Sequence, residues 1–439
     1  MKILSCTQQK QADAYTITQE NILSINLMEK AASLLTDEIC RRWDKSHRII
    51  IFAGSGKNGG DAVAVARMLF LKKYTVEVDL CHRIIIFAGS GNNGGDAVAV
   101  ARMLFLKNYT VEVYLFNITG VLSDDCMKNV QRLQECGFPN YHEISNSFDP
   151  PQLTKDDIVI DGLFGSGLNK PLSGGFASVV KYINASQATV VSIDLPSGLM
   201  GEDNSNNIRQ NIIRADLTLS IQLPKLSFLF AENEDIVGEW KVLDIGISKN
   251  FIEEASTPYF ITEANEIRQL IKPRSRFAHK GYFGHGLLLA SSNGKAGASI
   301  IAARACQRHT PVRNHDIVQT SVPEAMVQND VHELYFAEPV DLDNFQALAI
   351  GPGIGQEEET ALATFDQLKE CFIPLVLDAD ALNVFSTHRN YLNRIPKRTI
   401  LTPHIGELER IIGRCNNSFE RLTKAEELSA VKQSYKVLK

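Results

Sequence analysis

Hydrophobic and polar positions along the chain fall into alternating blocks. Short apolar, β-branched runs closed by Gly, Asp or Pro recur: "RIIIFAG", "TVEVYLF", "DIVIDGLFGSG", "ATVVSIDLPSGL" and "ADLTLSIQLPK". Such runs predict buried strands. Between them lie stretches with helical spacing. "ITQENILSINLMEKAASLLTDEICRRW" places Leu27, Ala31, Leu34 and Leu35 on one stripe. Asp96 opens "AVAVARMLFLK", where Val98, Ala101, Leu104 and Phe105 can face a sheet. Strands alternating with helices predict a doubly wound α/β sheet. After "EWKVLDIGISKN" a second α/β series begins, with "GHGLLLASSNGKAGASIIAARAC", "FQALAIGPGIG", "PLVLDADALN" and "TILTPHIGEL". The polar connector "SKNFIEEASTP" sets the boundary, giving domains 1–250 and 251–439.

One passage breaks the pattern. Residues 47–81 are repeated as 82–116, and within copies 47–80 and 82–115 only Lys57/Asn92, Lys73/Asn108 and Asp79/Tyr114 differ. Repeat architectures need about three units; this one occurs twice. At the junction only Cys81 and His82 separate two strand-like runs. A parallel crossover needs a dozen or more residues, and a tight hairpin wants Asn-Gly, Asp-Gly or a Gly-X pair. The prediction is a single site, with one copy displaced or the sheet irregular there.

Composition narrows the function classes. With 44% hydrophobic and 22% charged residues, the 439-residue chain is long enough for real cores. A formal net charge of −6 gives no support for nucleic-acid binding. The polar start "MKILSCTQQKQADAY" is not a secretory signal, and no apolar run approaches the roughly 20 residues of a membrane helix. The eight cysteines show no C-x-x-C and read as buried small hydrophobes in a reducing compartment. Cytoplasmic location follows by elimination.

The chemistry-bearing candidate is "GSGNNGG" (89–95), a G-x-G-x-x-G between a predicted strand and a predicted helix. Glycines let backbone approach a phosphate, and a helix N-terminus favours an anion. Alone the motif is weak. A dinucleotide-binding dehydrogenase also wants an acidic residue at the end of the next strand; Glu112 lies inside "TVEVYLF" instead.

"AGSGNNGGDAVAVARML", "DGLFGSGLNKPLSG", "VVSIDLPSGL" and "ADLTLSIQLPK", preceded by "NLMEKAA", resemble in order the epimerase domain of bifunctional NAD(P)H-hydrate repair enzymes. "HKGYFGHGLLLASS", "GKAGAS", "IGPGIG", "LDADALN" and "TPHIGELERIIG" resemble their ADP/ATP-dependent dehydratase domain. The resemblance spans nearly the whole chain. It implies a Rossmann-like doubly wound epimerase domain followed by an incomplete ribokinase-like α/β domain. The implied substrates are hydrated NADH and NADPH, whose R and S forms the first domain interconverts and from which the second removes water. Carried over by motif, Asn92, Asn93, Gly94, Gly95 and Asp96 contact the hydrated cofactor, with Gly165, Ser166, Gly167, Leu168, Asn169, Lys170, Pro171 and Asp194. Asn93, Asp161 and Ser197 hold a potassium ion; carboxylate, amide and hydroxyl oxygens suit a hard cation. Asp194, at a strand end, is the expected acid/base. In the second half Ala298, Gly355 and His404 contact the hydrated cofactor, and an intact dehydratase uses ADP or ATP with magnesium. A homo-oligomer is left open.

Three departures from the family follow. In the family the strand at "SYKVLK" continues into a nucleotide-binding segment and a Gly-rich helix start carrying the catalytic Asp, so the dehydratase half is expected to be inactive. "ARACQRHTPVRNHDIVQ" (303–319) is short by about one strand, which predicts a gap in the second sheet. The third is the doubled unit. Its second copy is expected to occupy the site, because Asn92 replaces Lys57, whose ammonium competes with a bound cation. A non-catalytic nucleotide-binding or scaffold protein is the alternative reading, and an NAD-dependent dehydrogenase the remaining one.

Overall fold

The computed structural model describes residues 1–19, 22–42, 48–53, 83–89, 110–118, 124–135, 137, 141–155, 157–271, 273–303 and 307–437. They form two compact units, Met1–Leu270 and Ile271–Lys439. The first unit continues past the expected residue 250 because the following segment returns to the N-terminus. Ile3 N donates to the Tyr259 carbonyl at 3.0 Å, Ile261 N to the Met1 carbonyl at 2.8 Å, and Lys2 and Phe260 form an antiparallel bridge.

The first unit is built on a parallel sheet. Its strands are β1 (Arg48–Ala53), β2 (Arg83–Gly89), β3 (Thr110–Phe116), β4 (Tyr141–Ile144), β5 (Asp157–Gly162), β6 (Thr189–Ile193), β7 (Leu217–Ile221) and β8 (Glu239–Leu243). From β5 the sheet runs outward through β6 and β7 to β8, and in the other direction to β3 and β4. Every residue of β5 is buried, as its continuous apolar run requires. The edge strand β8 instead alternates, with Glu239 and Lys241 exposed. The predicted N-terminal helical stretch is two helices, Cys6–Gln19 and Ser24–Arg42. Leu27, Ala31 and Leu35 of the expected stripe are buried. Glu38 ties the second helix to β8: hydrogen bonds from Arg41, Lys241 and Arg42 outweigh desolvation and pull its carboxyl down to about 2.

Between β3 and β5 the sheet offers one slot, and both copies are addressed to it. Phe52 of β1 and Phe87 of β2, the same position in the two copies, are both partners of Tyr114. Ile51 and Ile86 are both partners of Ile160. A strand has two edges; β3 already gives one to β4 and β5 gives one to β6. Occupancy of the slot is therefore exclusive, which answers the irregularity expected from the junction. The slot lies where the strand order reverses, the switch point at which open α/β sheets bind ligands.

The second unit holds a seven-stranded parallel sheet ordered β11–β10–β9–β12–β13–β14–β15. These strands are β9 (Gly286–Leu289), β10 (Gln307–Thr310), β11 (Val327–Asn329), β12 (Ala347–Ile350), β13 (Leu375–Leu377), β14 (Ile400–Leu401) and β15 (Tyr435–Lys436). The expected gap is absent. The polar segment Gln-Arg-His-Thr becomes β10, pairs with β9 and β11, and so satisfies the ladder that a missing strand would leave open. The cost appears in the side chains. Buried His309 pairs with Asp330 at 2.9 Å, yet among the described residues His309 Nδ1 and Thr310 Oγ1 have no hydrogen-bond partner.

Candidate functional site

Two consecutive strands of the first unit end in the same turn. β6 closes with Ser-Ile-Asp-Leu-Pro-Ser (192–197) and β7 with Ser-Ile-Gln-Leu-Pro-Lys (220–225). Asp194 and Gln222 share left-handed backbone, at φ 64° and 61°. Each donates its N–H to the neighbouring strand: Asp194 N to Leu219 O and Gln222 N to Leu243 O, both at 2.8 Å. Each side chain accepts from the backbone one strand further along, Asp194 Oδ1 from Ile221 N at 3.1 Å and Gln222 Oε1 from Ile245 N at 3.0 Å. Strain of this kind persists where surrounding hydrogen bonds over-determine it.

The residue after Leu-Pro then reaches back to a carboxylate on the preceding strand. Ser197 Oγ donates to Asp161 Oδ1 at 2.5 Å, and Ser197 N to Oδ2 at 2.8 Å. In the second turn Lys225 Nζ forms an ion pair with Asp194 Oδ1. Lys225 is 1% exposed and also reaches Ser220 Oγ and the Leu223 carbonyl, each at 3.1 Å. Lys225 is a candidate site residue that motif reading missed. The matched turns supply the signal: Lys225 stands where Ser197 stands in the preceding one.

The two carboxylates differ in what surrounds them. Asp161 is fully buried, and desolvation pushes its carboxyl up to about 6 against the pull of hydrogen bonds from Ser197, Ser192 and Leu163. Among the described residues no cationic side chain pairs with it. Ser197 Oγ lies 3.2 Å from the Phe164 carbonyl oxygen, so carboxylate, hydroxyl and carbonyl oxygens converge beside an uncompensated negative charge. That donor set fits a hard monovalent cation. For Asp194, Lys225 and Ile221 both donate to Oδ1, and among the described residues no hydrogen bond reaches Oδ2. Gly198 closes the turn at φ 101°, where a Cβ would sit 2.4 Å from the Asn211 carbonyl oxygen.

The structure thus joins Asp161 to Ser197 and sets Asp194 one strand away. Of the 165–171 segment, Gly165 is buried, Leu168 packs on the core, and Gly167, Asn169 and Lys170 are exposed. Lys10 stands over this loop, since a side chain on Gly167 would meet its ammonium. Asn92, Asn93, Gly94, Gly95 and Asp96 lie outside the described residues.

In the second unit the expected contacts gather at the carboxyl ends of β9, β12 and β14. Gly355 N donates to Asp380 Oδ2 at 3.2 Å, and Lys295 pairs with the same oxygen at 3.0 Å. Desolvation raises the Asp380 carboxyl, but Lys295, Gly355 and Gln356 outweigh it and the net shift is downward. Ala298 is exposed on the helix Ala296–Ala303, against Gly353. His404 caps the helix Ile405–Ile412: its Nδ1 accepts from Gly406 N at 3.0 Å, and His404 N donates to Glu407 Oε2 at 2.9 Å. That fixes the ring's place beyond what its lone position after a proline suggested.

Two parallel α/β sheets, each with its polar groups at the carboxyl ends of the strands, define a two-domain nucleotide-handling enzyme. The YjeF-related N-terminal family profile matches residues 24–83 and 79–227, one piece for each copy of the doubled unit, and the NAD(P)H-hydrate dehydratase profile matches 280–439. The bifunctional NAD(P)H-hydrate repair enzyme of Moorella thermoacetica is 30% identical over 438 residues, covering 94% of this chain and 75% of the relative. That of Thermosynechococcus vestitus is 33% identical, covering 88% and 70%. An ADP/ATP-dependent NAD(P)H-hydrate dehydratase from Bacillus subtilis, crystallised with ATP and Mg2+, is 27% identical over 40% of this chain and 64% of that one, with a TM-score of 0.32. The chain belongs to the bifunctional NAD(P)H-hydrate repair enzymes, combining a Rossmann-like epimerase domain with a ribokinase-like dehydratase domain. The dehydratase match over 280–439 shows that this domain is present in the chain.

Proposed function

We propose that the first unit epimerises hydrated NADH and NADPH at the carboxyl ends of β5, β6 and β7. The observation carrying this reading is the pair of matched turns, which hold Asp161 and Asp194 on neighbouring strands. Asp194 Oδ2 serves as the acid/base group at the hydrated carbon while Lys225 fixes the carboxylate through Oδ1. Asp161 and Ser197, with Asn93, hold a potassium ion that supplies positive charge next to the substrate. Lys10 and the 165–171 loop face the substrate's phosphates. The second unit removes water from the hydrate using ADP or ATP with magnesium, binding the hydrate through Ala298, Gly355 and His404.

Purified protein given separate R and S hydrates tests the first part. Conversion of one into the other, lost in Asp194→Asn with hydrate binding kept, is the expected result. Full turnover in that variant would remove Asp194 from the chemistry. Recovery of NADH from the hydrate only when ADP or ATP is added tests the second part.

A further inference from the structure

β15 is the outermost strand of the second sheet; among the described residues it pairs with β14 and with no other strand. Its last residue, Lys436, is half-buried, and its Nζ donates to Ser429 Oγ on the helix Ser418–Lys432 at 2.8 Å. A longer bond runs to Ser434 Oγ at 3.3 Å. Among the described residues no carboxylate joins them. Elsewhere the lysines held in the fold meet one: Lys225 pairs with Asp194, Lys295 with Asp380 and Lys241 with Glu38. Around Lys436, β14 contributes only Ile400 and Leu401. On the helix, Glu426 and Glu427 are exposed and Lys432 donates to Asn393, so neither sign of charge pairs with the amine.

The two hydroxyls suit one form of the amine better than the other. An ammonium has three N–H donors and no acceptor, whereas a neutral amine has two donors and a lone pair. Ser429 and Ser434 account for two donors and leave that lone pair uncommitted, while a third proton meets no oxygen among the described residues. Burial acts in the same direction: loss of water without a compensating charge brings the amine down to about 8. At pH 7.5 about a quarter of such an amine is neutral, against about one part in a thousand for an exposed lysine. Tyr435 and Val437, on either side, are exposed, so this edge is open to an approaching molecule.

We propose that Lys436 is an acylation site, a nucleophile toward an activated acyl group carried as an acyl phosphate or an acyl thioester. The Nζ lone pair attacks the acyl carbonyl carbon and forms the C–N bond. The C–O or C–S bond breaks, its electron pair leaves with phosphate or thiolate, and the nitrogen gives one proton to water. The product is a neutral amide whose remaining N–H keeps a serine partner.

The test incubates the full chain at pH 7.5 with acetyl phosphate in one arm and acetyl-coenzyme A in the other. Peptide mass spectrometry over time then gives a rate for each lysine. Lys436 should acetylate about tenfold faster than the exposed Lys181 and Lys397 in at least one arm, which also identifies the donor. A rate no higher than theirs in both arms overturns the site. Ser429→Asp sets a carboxylate beside Nζ, holds the proton there, and should return Lys436 to the rate of the surface lysines. An undiminished rate in that variant overturns the proposal as well.

Discussion

The candidate sites of the two units handle charge in opposite ways. In the first, Asp161, Asp194 and Lys225 are 0%, 4% and 1% exposed, and each answers to a partner on a neighbouring strand. In the second, Asp380 meets a Lys295 whose side chain is 49% exposed, so water shares the pair. Buried charge is expensive to leave alone and costly to rearrange; surface charge is neither. The first unit therefore has a site whose electrostatics are locked by its fold, and the second a site whose polar groups can be re-ordered by whatever binds.

The sharpest way to break that contrast is Lys225→Met, which strands Asp194 without its cation. We expect a loss of about 3–5 kcal/mol in denaturant unfolding. Trp240 lies in β8 of the first unit and the sequence of the second unit, 271–439, holds no tryptophan, so tryptophan fluorescence reports the first unit's transition. Adding Asp194→Asn should restore part of the loss; a single-variant effect under about 1 kcal/mol contradicts the buried pair.

Asp161 comes next. Burial pushes its folded carboxyl up to about 6 from the ordinary 3.8, so the native state holds the proton more tightly than the unfolded chain. Stability from this group is present at low pH, falls as pH rises from about 4 to about 6, and is flat above, a difference of about 3 kcal/mol at most. Asp161→Asn should flatten that slope, and an unchanged slope would assign it elsewhere.

Potassium should reverse the penalty by binding the ionised form. A melting-temperature rise with KCl over a bulky-cation chloride is expected at pH 8, fading near pH 5 and lost in Ser197→Ala. At a hundredfold excess over Kd the gain is about 2.7 kcal/mol. Equal melting with both salts at pH 8 removes the cation. The smallest effect belongs to the second unit, where Asp380→Asn should cost less than about 1 kcal/mol. A larger loss would mean that this charge is locked as well.

Much of this was legible in the chain. The apolar runs closed by Gly, Asp or Pro became β5, β6, β7, β9 and β12, because a strand buried on both faces leaves a composition that little else produces. Asp161, Ser197 and Asp194 are reached only through the family resemblance, since on its residues alone "DLPSG" reads as a strand-ending turn. Lys225 is not reached at all, because a lysine after proline carries no pattern of its own; its meaning comes from a register shared between two turns. β10 was also hidden, since Gln-Arg-His-Thr has no strand signature and is held in place by its neighbours. His404 resisted for another reason: a cap is defined by backbone donors that a side-chain motif does not show.

The doubled strand has a consequence for how the protein is made. Tyr114 lies about 60 residues beyond Phe52 but about 30 beyond Phe87, and doubling a closing loop costs only about 0.6 kcal/mol. Near-identical strands therefore enter the slot in a ratio of roughly three to one in favour of the later copy, before Lys57 and Asn92 add their own preference. Whichever strand is excluded is an Arg-Ile-Ile-Ile-Phe-Ala run left without that slot. Such a β-branched, nearly uncharged run is the composition that seeds intermolecular stacking, so yield and solubility register the competition before any assay does.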